Sequence, residues 1–142
     1  ILITIASALS ISTAMTKSGL ADWVASSLIG MANDVPPIVI LGVLYLVTNI
    51  ITEFITNNAA AAFAFPIAVA ISTQMGVSPM PFMVAICIAA SSSFSSPIGY
   101  QTNMIVQGIG GYKFSDFIRI GLPLNIIAFI ISMIFIPLFW PF

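Results

Sequence analysis

Two uncharged polar interruptions, "TNN" at residues 56–58 and "PIGYQTN" at residues 97–103, each cut an apolar run and constrain what this chain can fold into. Backbone released from a helix inside a bilayer leaves amides and carbonyls without water, at several kcal/mol each. Such breaks survive only where protein or a polar cavity surrounds them.

The bilayer is implied by composition. Sixty per cent of the 142 residues are hydrophobic, three are basic, four acidic and none is histidine, which places the chain among membrane proteins. A net charge of -1 gives no basis for a nucleic-acid partner. The lone Cys87 excludes an internal disulfide and reads as a small packing residue. An enzyme is not expected, because no histidine, activated nucleophile or metal-ligand cluster is present.

The expected organisation is all-α, in one membrane domain over residues 1–142. Residues 1–16 form a membrane helix of about 24 Å, too short to cross. The opening run has no charged leader or cleavage site, so it is not read as a signal peptide; the first residue, Ile1, suggests a piece of something longer. Residues 17–35, with Lys17, Asp22, Trp23 and Asp34 around an apolar stripe, read as an interfacial amphipathic arm. Residues 36–73 form a helical hairpin with its tip at 56–58 and its second arm, Ala59 to Thr73, interrupted by Pro66; residues 82–111 form a broken membrane helix, and residues 117–140 a full membrane helix.

Both breaks end in the same chemistry. Asn58 is expected to cap a helix starting at Ala59, and Asn103 one starting at Met104. Two helix N-termini aimed at one point, each carrying about half a positive charge and several free N–H donors, make an anion site without a basic side chain. Released carbonyls, the amide oxygens of Asn57, Asn58 and Asn103, and the hydroxyls of Thr56, Ser95, Ser96 and Thr102 offer hard oxygen ligands of the kind sodium takes. Pro97 breaks the helix and Gly99 lets backbone approach a ligand. Ser91, Ser92 and Ser93 read first as packing residues. Glu53 is either a proton carrier or a structural group bonded to the tip loop.

The stretches "AMTKSGLADWVA", "ITEFITNNAAAAFAFPIA" and "SSPIGYQTNMIVQGIGGYKFSDFIRIGLPL" resemble the C-terminal half of the divalent-anion/sodium symporter family, in the citrate-transporter-like part of the ion transporter superfamily. The resemblance implies an inverted repeat. Each half would contribute a re-entrant hairpin with a Ser-Asn-Thr tip and a broken helix, each would bind one sodium, and the oxyanion would lie between the tips. It also implies a homodimer with an elevator motion in a bacterial-type inner membrane, and a missing N-terminal half. No cofactor is implied beyond sodium as coupling ion. Carried over, the tip signature falls on Thr56, Asn57 and Asn58, and the broken-helix loop on Ser96, Pro97, Gly99, Thr102 and Asn103; the sodium ligands are Thr56, Asn57, Asn58, Thr102 and Asn103. Threonine replaces serine at 56 and asparagine replaces threonine at 58, which leaves the anion, sulfate or a dicarboxylate, open. A transporter-like anion sensor and a proton-linked exporter are the alternatives.

Overall fold

The computed structural model describes residues 2–30 and 36–142. The expectations for Ile1 and for the end of the arm at residues 31–35, Asp34 included, lie outside the described residues. Among the described residues every element is helical: α1 (Leu2–Lys17), α2 (Leu20–Gly30), α3 (Pro37–Thr52), α4 (Asn57–Met75), α5 (Met80–Ser91), α6 (Gln101–Gly110) and α7 (Phe114–Phe139).

Local chemistry sets most of the helix ends. Pro37 occupies the first turn of α3, where its missing N–H costs nothing. Thr56 caps α4 by accepting from the Ala59 amide, and Gly76 ends it at φ 66°, with the Val77 amide returning to the Ser72 carbonyl. At the start of α7, Asp116 Oδ2 accepts from the Lys113 amide at 2.9 Å, so that helix begins three residues earlier than the apolar pattern alone indicates.

Three expectations are corrected here. The α4 helix starts at Asn57, not Ala59, so Thr56 rather than Asn58 is its cap. The α6 helix starts at Gln101, and Asn103 lies inside its first turn instead of preceding it. Pro66 does not interrupt α4, which runs through it for 19 residues; the ring removes one ladder bond in a segment packed on several sides, a loss that neighbouring helices tolerate.

The α4 helix is the hub, packing against α1, α2, α3 and α5, while α3 and α5 also pack against each other and against α7. The core is Leu41, Leu44, Tyr45, Ile67, Ile71, Phe82 and Ile86 with a run of alanines, Ala64, Ala68, Ala85 and Ala89. Small residues let the helix backbones approach closely, the usual device where lipid removes any hydrophobic drive between helices. The α2 helix contributes Ala21 and Ala25 to this core, and Ser26 and Gln74 link it to α4 by a 3.1 Å bond.

Among the described residues two helices are long and apolar enough to cross a membrane, α4 and α7. At 1.5 Å per residue, the 26 residues of α7 reach about 39 Å. Most of its apolar surface is exposed, Ile120, Ile126, Ile130 and Leu138 among it. In a soluble protein that would be an aggregation liability, and in a bilayer it is the lipid-facing surface.

Candidate functional site: an unwound segment and two helix N-termini

The α5 helix stops at Ser91, and residues 92–100 are irregular before α6 begins. The helix therefore ends six residues before Pro97, so the proline is not what ends it. Pro97 is instead fully buried in the middle of the unwound segment.

The freed carbonyls have specific partners. Asn49 Nδ2, on α3, donates to the carbonyls of Ser92 at 2.7 Å and Ala89 at 3.4 Å. Thr52 Oγ1 lies 2.8 Å from the Ala90 carbonyl and 3.0 Å from Asn57 Oδ1, and its one hydrogen serves one of them at a time. Further along, Asn103 Nδ2 donates to the carbonyls of Ser93 at 3.1 Å and Ser96 at 3.2 Å. Side-chain donors thus replace the intrahelical ladder, which is how unwound backbone is carried away from water.

Glu53 closes the arrangement. It is 9% exposed and follows the last residue of α3. Its Oε1 accepts from the Ser95 amide at 3.0 Å and from Asn125 Nδ2 of α7 at 2.8 Å, and Ser93 Oγ approaches Oε2 at 3.4 Å. Its partners lie in the unwound segment and in α7. The sequence places a structural Glu53 on the tip loop 56–58; the observed bonds go elsewhere.

Gly99 is also reassigned. A Cβ there would collide with the Thr52 carbonyl and with Ser93 Oγ, so the glycine is needed for approach to protein backbone, whatever binds nearby. Of the serines read as packing residues, Ser91 and Ser92 return their hydroxyls to their own helix, at the carbonyls of Cys87 and Ile88. Ser93 reaches across to the Thr52 carbonyl at 3.2 Å and belongs to the junction.

These close approaches set the N-terminus of α6 beside that of α4. A cleft of about 520 Å³ lies between them, lined by Thr56, Asn57, Asn58, Gly99, Tyr100, Gln101 and Thr102. Five residues named from the sequence, Thr56, Asn57, Asn58, Gly99 and Thr102, are thus brought together across 46 residues of chain. Four others, Ser95, Ser96, Pro97 and Asn103, are not in its lining. Ser96 and Pro97 are buried, Ser96 Oγ accepts from the Ile98 amide, and Asn103 borders a second hollow of about 320 Å³ between α6 and α7. No cluster of histidine, cysteine or carboxylate side chains that could hold a metal occurs among the described residues.

Sequence reasoning missed Asn49, Thr52 and Asn125. A signal for the first two existed: Tyr45, Thr48, Asn49 and Thr52 recur at helical spacing within an apolar run, a polar stripe on one buried face. Asn125, an isolated amide in the last helix, carries the same warning.

The sequence model of the family described as Citrate transporter matches residues 1–141. The chain is 41% identical over 133 residues, 94% of its length, to a Chlamydomonas reinhardtii protein named as a candidate sulfur deprivation response regulator. It is 32% identical over 131 residues, 92% of its length, to Sodium/sulfate cotransporter 1 of the same organism. Over 134 residues, 94% of its length, it is 28% identical to the Sodium-dependent dicarboxylate transporter SdcS of Staphylococcus saprophyticus. The chain spans 23%, 15% and 26% of the lengths of these relatives, respectively. With a family match running from the first residue to the last but one, the chain belongs to the citrate transporter family, a family of membrane transporters and not of enzymes.

Proposed function

We propose that this chain is one half of a sodium-coupled secondary transporter that carries a small divalent oxyanion, sulfate or a dicarboxylate. The observation that carries the reading is the cleft where the N-termini of α4 and α6 meet. Each N-terminus supplies unpaired N–H donors and about half a positive charge, which suits a divalent anion, and no lysine or arginine lines the cleft. Thr56, Asn57, Asn58 and Thr102 line the same space, and hydroxyl and amide oxygens of this kind suit a hard monovalent cation. Ser95, Ser96, Pro97 and Asn103 act one layer back, holding the backbone whose carbonyls complete the cation site. The Asn103 amide nitrogen donates to the carbonyls of Ser93 and Ser96, which ties the start of α6 to the unwound segment.

In this reading α3, the turn at 53–56 and α4 are a re-entrant hairpin, and α5 with α6 is a broken span. An inverted copy would supply the second half of the anion site. Domain motion of the elevator type, a homodimer and an inner-membrane location belong to the same proposal. Support comes from relatives named as a sodium/sulfate cotransporter and a sodium-dependent dicarboxylate transporter.

The test is labelled sulfate uptake by the full-length protein in proteoliposomes, with and without an inward sodium gradient, competed by succinate and citrate. Gradient-driven uptake supports the symporter, and the competition pattern names the anion. A second reading, an anion sensor on the same scaffold, draws on the relative named for the sulfur deprivation response. Anion binding with no sodium-driven uptake would select it and reject symport.

A further inference from the structure

Among the described residues, two buried side-chain polar atoms lack a hydrogen-bond partner: Tyr45 Oη and Asn125 Oδ1. The second is the more informative. Asn125 sits within the long apolar helix α7 and is 9% exposed. Its oxygen finds no partner there, so what holds an amide at this position is the work of its nitrogen.

Its other end is fully used. Asn125 Nδ2 donates to Glu53 Oε1 and to Ser95 Oγ, both at 2.8 Å. Glu53 Oε1 in turn accepts the Ser95 amide at 3.0 Å. Ser95 is therefore held by its amide from the end of α3 and by its hydroxyl from α7. Four residues earlier on the same face of α7, Gly121 lets that helix lie directly on the unwound segment; a Cβ there would collide with the Phe94 carbonyl. At the far end of the segment Gly99 is pressed on the Thr52 carbonyl, beside Glu53. The next residue, Tyr100, opens α6 and lines the cleft.

From this chain of contacts we propose that Asn125 is a positioning residue for the cleft. Through Glu53 and Ser95 it fixes where the N-terminus of α6 stands opposite that of α4, and so sets affinity for cation and anion without touching either. α7 then both faces lipid and serves as the fixed support from which the site is measured. The inference rests on the transporter reading of the cleft.

The test uses the full-length protein in proteoliposomes, with sodium-driven uptake of labelled sulfate and succinate measured over a range of sodium concentrations. Asn125→Leu keeps the branched shape but cannot donate, and Asn125→Ala removes the group. Both are expected to raise half-saturating sodium about fivefold or more with maximal rate per folded transporter little changed. Ser132→Ala, seven residues along the same helix, is expected to leave both constants at wild-type values. A fall in maximal rate alone, or wild-type constants in Asn125→Leu, would overturn the proposal.

A second measurement is independent of transport. With Thr102→Cys as the one reactive thiol, labelling by an impermeant maleimide reports the position of α6. Asn125→Leu is expected to change that rate, and an unchanged rate refutes positioning. If the parent moves neither anion with sodium, the transporter reading fails while the labelling still decides the role of Asn125.

Discussion

Gly99→Ala places one methyl group where the fold has no room for it. The added Cβ meets two atoms inside 3.0 Å, and the nearer is the backbone carbonyl of Thr52, which cannot swing aside as a long side chain would. Ser93 Oγ, the other, already bonds that carbonyl at 3.2 Å. Overpacking of this kind costs about 1–3 kcal/mol, and loss of the Ser93 bond adds about 1 kcal/mol. Relief comes from moving residues 98–100 off α3, which carries the first turn of α6 away from Thr56 and Asn58. If about 1–3 kcal/mol of this falls on the binding-competent arrangement, affinity drops about 5–150-fold. The assay is half-saturating sodium for anion uptake by the full-length protein, with thermal unfolding of the same preparation. Gly108→Ala is the matched control: its Cβ meets nothing within 4 Å and it lies inside α6, so it is expected to be neutral or to stabilise by about 0.5–1 kcal/mol. A Gly99→Ala protein with wild-type sodium dependence and wild-type unfolding would refute the close approach and the account of the junction built on it.

Asn57→Ala and Asn103→Ala are each expected to weaken sodium activation, the first by changing the cleft lining and the second by freeing the carbonyls of Ser93 and Ser96 that hold the start of α6; unchanged activation in both would overturn the assignment of the cation site to this cleft. Thr56→Val, which cannot accept from the Ala59 amide, is expected to cost about 0.5–1 kcal/mol of stability, the lower part of the range because the bond is 3.4 Å long, with Thr56→Ser restoring it in thermal unfolding. Glu53→Gln keeps the Oε1 acceptor used by Ser95 and Asn125, so sodium-driven uptake is expected to persist; abolished uptake would instead make the carboxylate a proton carrier.

How much of this was legible in the sequence depended on the range of the forces involved. Apolar runs and their polar breaks are local, and the expense of unwound backbone in lipid made "TNN" and "PIGYQTN" stand out before any fold was known. Five of the residues chosen on that ground do face one cleft. Helix starts were less legible, because a cap is decided by one hydrogen bond: Thr56 accepts from Ala59 with Asn57 and Asn58 already helical, while Asn103 turns its amide back onto the unwound carbonyls instead of capping. The end of α5 misled for a related reason. Proline is a strong breaker, yet α5 ends six residues earlier, where Asn49 and Thr52 of α3 stand ready to take the carbonyls of Ala89, Ala90 and Ser92.

The sequence by itself determined that the chain is helical, apolar enough for a membrane, and interrupted at two uncharged polar points, because composition and periodicity act residue by residue. Only the tertiary structure decided which polar groups line the cleft and which support the backbone behind it. A side chain's role here depends on what lies within about 3 Å of it, and those neighbours are contributed by elements 30 to 72 residues away. Asn125 and Gly121 read as an ordinary amide and an ordinary glycine in a greasy helix until α7 is laid on the unwound segment; only there do they, with Glu53 and Gly99, hold two helix ends at one cleft.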